Sequence, residues 1–186
     1  MTEEAILKGC LNKERSAQKA LYEKYSPKML AVCYRYAHNL PDAEDMLQES
    51  FIKIFNHIHQ FEGKGSFEGW IRKAVVHTSI NILKKNKKFN EYIDVVSMAE
   101  YIVQKEKQTA NMQSKEIIEC IRLLPVGYRT VLNLYAIEGY VHKEIAEMLG
   151  IEESTSRSQY VRAKQMLERM LLNLDILEPV KQKKRS

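Results

Sequence analysis

The sequence predicts an all-α protein of two small helical domains joined by a flexible linker, the second containing a helix-turn-helix. Glycine and proline are scarce, 7 and 4 in 186 residues, in a chain rich in Leu, Ile, Glu, Lys, Ala and Met, which favours helices over strands and hairpins. Apolar residues recur at three- and four-residue spacing on either side of a stretch, about 89 to 112, where periodicity collapses. A chain of 186 residues suffices for one ordinary domain or two small ones. The expected organisation is a domain at 1–88, a linker at 89–112, a domain at 113–175 and a basic tail at 176–186.

From Glu3 to Tyr25 the apolar positions Ile6, Leu7, Cys10, Leu11, Ala17, Ala20 and Leu21 fall mostly at helical spacing. Ser26-Pro27 is expected to end one or two helices there. A second run, Met29 to His38, stops before Pro41 and Asp42, which suit the start of a third helix. In that helix Ala43, Met46, Leu47, Ser50, Phe51, Ile54, Phe55 and Ile58 form a core-facing stripe. Two glycines in Phe61-Glu62-Gly63-Lys64-Gly65 mark a loop, and Ser66 suits the N-cap of a fourth helix running to about Lys85. Four further helices are expected at about 114–123, 126–137, 141–149 and 153–172.

Twenty-nine Lys and Arg against 24 Asp and Glu leave a formal charge of +5, which permits an anionic partner without naming one. Cys10, Cys33 and Cys120 share no ligand spacing, and an odd count argues for a reducing compartment and three buried small hydrophobes. The first residues are acidic where a signal peptide would be basic, and no apolar run approaches the roughly 20 residues that cross a bilayer. A soluble, cytoplasmic protein without membrane insertion is expected. Catalysis is disfavoured: His57-x-His59 sends its rings to different helix faces, and no HExxH motif, phosphate loop or Cys/His ligand set appears, so neither metal nor cofactor is expected.

The segment from Tyr140 to Leu167 reads as a helix-turn-helix. Its first helix closes at Gly150, which tolerates a left-handed turn. Ile145, Ala146 and Leu149 are expected to pack against Ile151, Tyr160, Val161 and Leu167, with small Ala146 permitting a close crossing. Early in the second helix Ser154, Thr155, Ser156, Arg157, Ser158 and Gln159 combine short hydroxyls with long donors, a composition suited to a DNA groove. Arg157 and Gln159 are candidates for base readout, and Lys143, Arg162 and Lys164 for phosphates.

This C-terminal segment, "LPVGYRTVLNLYAIEGYVHKEIAEMLGIEESTSRSQYVRAKQML", resembles the promoter-reading domain of the extracytoplasmic-function group of bacterial sigma factors. Upstream, "DAEDMLQESFIKIFNHIHQF" resembles the helix by which those factors hold RNA polymerase, and "GSFEGWIRKAVVHTSINILKK" their minus-10 element. The resemblance spans about Ser16 to Leu171 and implies core RNA polymerase and promoter DNA as partners, together with an anti-sigma factor. The third helix presents Asp42, Asp45, Gln48, Glu49 and Lys53 around an aliphatic Ile52, a dry centre with a polar rim. The resemblance implies that this face meets a coiled coil of the largest polymerase subunit.

On the fourth helix Ile71, Ala74, Val75, Thr78 and Ile82 project to one side, while Lys73, His77, Asn81, Lys84 and Lys88 form a basic track. The resemblance implies that this track and the preceding loop capture a melted promoter strand, with a flipped base in a pocket of Phe61, Lys64, Ser66 and Phe67. Trp70 is read as core before base-stacking. Many family members carry Asn where this chain has His77, which changes the donors offered to the minus-10 strand. The alternative function is a conventional helix-turn-helix activator or repressor, which would dimerise to span two half-sites and has no use for a basic fourth helix.

Overall fold

A computed structural model describes residues 1–85 and 113–174, which fall into two units, Met1–Lys87 and Lys88–Ser186. No strand occurs among the described residues. The expected linker, Lys88 and the expected basic tail lie outside them.

In the first unit, α1 (Glu3–Leu11) is capped by Thr2, whose hydroxyl accepts from the Ala5 N–H at 3.2 Å. It crosses α2 (Arg15–Tyr36) almost backbone to backbone: a Cβ on Gly9 would stand 2.5 Å from that of Ala17. The Glu3 carboxylate ties the pair together, accepting from the Tyr25 hydroxyl and from Lys24 at 2.9 Å.

The expected break at Ser26-Pro27 does not occur, because α2 runs unbroken through Pro27. An interior proline costs a helix about 3 kcal/mol, whereas burying one large side chain is worth about 1.5–3 kcal/mol. Tyr25, Met29, Val32, Cys33 and Tyr36 are all buried along one side of this helix while Pro27 faces solvent. The continuous stripe outweighs the local breaker.

Asn39 caps α3 (Leu40–His57), its side-chain oxygen accepting from the Asp42 N–H at 2.8 Å. The expected stripe from Ala43 through Met46, Leu47, Ser50, Phe51 and Ile54 is buried, and Phe55 is half-buried. A short 3-10 turn, Ile58–Gln60, follows. Ser66 then starts α4 (Phe67–Lys85), its hydroxyl accepting from the Gly69 N–H at 3.0 Å. This helix packs on both α2 and α3, so its buried set is wider than the expected stripe and includes Val76, Ser79, Ile80 and Leu83. Buried Ser50 and Ser79 satisfy their hydroxyls by donating to the carbonyls of Met46 and Val75 at 2.6 and 2.9 Å.

The second unit contains α5 (Gln113–Leu123), α6 (Val126–Leu132) extended by a π-helical turn (Asn133–Ile137), α7 (His142–Leu149) and α8 (Glu153–Asn173). Cys120, Ile121, Leu124 and Leu132 meet Ala163, Met170 and Leu171 of α8 in its core. Gly150 turns α7 into α8 at φ 70°, a left-handed conformation that a side chain resists. Arg129 is 2% exposed, and its Nη1 donates to the Arg122 carbonyl at 2.7 Å. Burial, with Arg122 nearby, pushes its pKa down to about 10, so it stays charged at neutral pH. All three cysteines are free and buried, and burial pushes the Cys33 thiol up to about 11. Among the described residues no helix is long and apolar enough to cross a membrane.

Candidate nucleic-acid interface

Helix α8 separates its polar residues sharply. Ser154, Arg157, Ser158, Arg162 and Lys164 are exposed, as is Lys143 on α7, and Thr155 is half-buried. Arg157 pairs with Glu153 one turn earlier, which lays the guanidinium along the helix surface. Ser156 and Gln159 differ from expectation: they are 0% and 4% exposed and turn into the domain. The Ser156 hydroxyl meets Nδ1 of His142 at 2.9 Å, and the Gln159 side chain packs on Gly127. They belong to the inward stripe that continues through Ala163 and Met170, so neither can reach a groove. Val161, expected inside, is 52% exposed.

His142 sits behind this helix, stacked on Tyr135 with centroids 4.3 Å apart and edge-on to Tyr160. Burial, reinforced by Arg157 and opposed by Glu153, holds its pKa below the usual imidazole value. The unfolded chain therefore takes up this proton first as pH falls. The second domain should lose stability as pH drops through about 6.5, and the loss should level off below the folded value. Thermal melts at about pH 7.5 and pH 5.5 should differ less in His142→Gln than in the native chain. An undiminished difference would exclude His142 as its source. In the first domain His77 shifts in the same direction, through burial and then the neighbouring Lys73 charge.

The loop before α4 is less available than expected. Phe67 is 3% exposed and packs against Tyr25, Phe61 and Trp70 at centroid distances of 5.9, 4.9 and 6.1 Å. It is core and lines no pocket, because the first turn of α4 points it at α2. Phe61 is half-buried, exposed Ser66 is engaged in capping, and exposed Lys64 pairs with Glu62 at 2.6 Å.

Among the described residues a concavity lies instead between α3 and α4, a cleft of about 350 Å³. Trp70, Lys73, Ala74, His77, Thr78 and Asn81 line one wall, and Lys53, Ile54, His57 and Gln60 the other. No carboxylate lines it. Lys73, Asn81 and Lys84 are exposed, while His77 and Trp70 are half-buried. Sequence reasoning missed His57 and Gln60, whose side chains meet at 3.3 Å. Their i, i+3 spacing was visible, but the facing wall is not local in sequence.

On the other face of α3, Ile52 is 60% exposed. Asp45 and Gln48 are exposed beside it, Asp42 is half-buried, and half-buried Glu49 pairs at 3.0 Å with Lys53, which borders both this face and the cleft. Leu40, the first residue of α3, is a second exposed aliphatic on this helix at 49% exposure. It was not among the expected contacts.

A helical domain with an exposed aliphatic face and a basic cleft, followed by a helix-turn-helix domain, has the architecture of a two-part promoter-reading factor. The family description of sigma-70 region 2 matches residues 21–89, and that of sigma-70 region 4 matches residues 114–167. The chain is 27% identical over 179 residues to the ECF RNA polymerase sigma-E factor of Haemophilus influenzae, covering 90% of this chain and 94% of that one. It is 28% identical over 162 residues to the ECF RNA polymerase sigma factor SigW of Bacillus subtilis, covering 81% and 86%. Its fold is similar to that of the sigma factor RpoE of Bartonella quintana, solved with the anti-sigma factor NepR. The TM-score is 0.52 at 18% identity, covering 83% of this chain and 96% of that one. The chain belongs to the extracytoplasmic-function group of sigma factors.

Proposed function

We propose that the protein binds core RNA polymerase through Ile52 and its acidic surround. It then directs initiation by placing α8 in the minus-35 major groove and holding the melted minus-10 strand on α4. The carboxylate-free basic cleft between α3 and α4 carries this reading, since a groove-reading regulator has no need of a second basic element. Unstacking a base costs a few kcal/mol. A stacking indole, Trp70, beside the donors of Lys73, His77 and Asn81 can offset it. Bond making belongs to polymerase, and this chain contributes binding and placement. An anti-sigma factor, the class of partner in the Bartonella quintana complex, is proposed to restrain the protein by covering its polymerase-binding faces.

Transcription reconstituted with purified core enzyme on a pool of genomic fragments tests the reading. Promoter-specific starts are expected, and their absence from every fragment would sink it. Within such a promoter, Arg157→Ala should cost about 1–3 kcal/mol and relax specificity at one base pair if the guanidinium reads a base edge. Uniform weakening on all sequences would make Arg157 a phosphate contact.

A further inference from the structure

We propose that Val161 reads the 5-methyl group of a thymine in the upstream promoter element, so that part of the base specificity of α8 is apolar. The proposal rests on α8 being the minus-35 reader. Ser156, Ala163 and Met170, all at most 5% exposed, mark the direction of the domain core from α8. At roughly 100° per residue, Val161 points about 140–180° away from all three. Its neighbours on that outward arc are Ser154, Arg157, Ser158 and Arg162, every one of them exposed.

Scattered exposed aliphatics are ordinary on protein surfaces. This one stands near the middle of the face that the fold turns outward, 52% exposed. A β-branched residue there also brings no helix-propensity advantage. Valine has neither donor nor acceptor, so the hydrogen-bond code of a base edge is closed to it. The apolar feature that a major groove offers is the thymine methyl. Val161 follows Arg157 by one turn, about 6 Å along the axis, while base pairs stack at roughly 3.4 Å. Laid along the groove, α8 therefore brings Val161 to a base pair about two steps from the one within reach of Arg157.

The test uses a promoter fragment selected from a random pool by the reconstituted holoenzyme, with each thymine of the upstream element replaced singly by deoxyuridine. One replacement should weaken binding about fourfold, the equivalent of roughly 0.8 kcal/mol for a buried methyl-sized group. Val161→Ala, a helix-compatible change at an exposed site, should bind the parent fragment about fourfold more weakly and ignore that replacement. Arg157→Ala should retain the methyl sensitivity. Unchanged methyl sensitivity in Val161→Ala would overturn the proposal. So would a native protein that discriminates base pairs in the element yet is indifferent to every thymine methyl. Weaker binding of Val161→Ala to core enzyme in the absence of DNA would assign the side chain to a protein contact and overturn it as well. Indifference to every base-pair change in the element would remove the reading of α8 itself, a distinguishable failure.

Discussion

Ile52→Glu is expected to weaken binding to core RNA polymerase about 30-fold or more, a loss of roughly 2 kcal/mol, while leaving the helical fold intact. The fold does not need this side chain: it is 60% exposed and points away from the stripe of Met46, Leu47, Phe51 and Ile54. In the proposed complex it is the dry centre of a patch rimmed by Asp45, Gln48 and Glu49. Centrally placed apolar residues dominate interface energetics, while rim charges mostly tune rate and salt dependence. Glutamate removes that contact and desolvates a third carboxylate beside Asp45 and Glu49. A competition assay against a labelled sigma factor for core enzyme measures the loss. Leu11→Glu, another exposed aliphatic in the same domain at 48% exposure, is the control and should leave affinity unchanged. Equal affinities of Ile52→Glu and the native protein would move the polymerase-binding surface elsewhere.

The sequence made the start of α4 legible at Ser66, whose hydroxyl accepts from the Gly69 N–H, whereas the caps Thr2 and Asn39 escaped it. It made helix faces legible where apolar spacing was clean, as along α3. Its other failures share a cause: local chemistry was read where tertiary packing decided. Pro27 carries a strong local signal, yet the stripe from Tyr25 to Tyr36 buries more than one proline costs. Ser156 and Gln159 were read as outward because they are polar. The seven-residue interval from Ser156 to Ala163 to Met170 already placed that side inward, and it likewise places Val161 outward. Phe67 suited a loop pocket in composition, but a first-turn aromatic facing α2 is claimed by Tyr25. The cleft was least legible, since its walls come from residues 53–60 and 70–81. One periodic pattern reports one helix face and not what faces it.

Arg129→Ala should destabilise the second domain by about 3–5 kcal/mol, because it removes a large buried side chain and the donor to a helix-end carbonyl together. The Arg122 carbonyl belongs to the last turn of α5, where helix carbonyls have no intrahelical N–H to accept from and where a cation complements the helix dipole. Through this bond Arg129 joins the end of α5 to α6, and α6 in turn packs against α8. Small domains have about 5–15 kcal/mol of stability in all, so the loss should unfold a substantial share of the domain near physiological temperature. Arg129→Met separates the two contributions: it keeps most of the volume, loses the bond, and should cost less, about 1–3 kcal/mol. Denaturant titrations give both values, and a cost under about 1 kcal/mol for Arg129→Ala would show that the buried guanidinium does not hold α5 in place. The functional consequence follows from the division of labour proposed for the two domains. Arg129→Ala should abolish dependence on the upstream element while polymerase affinity carried by Ile52 falls far less. A variant that loses both equally would mean that the second domain contributes as much to core binding as α3 does.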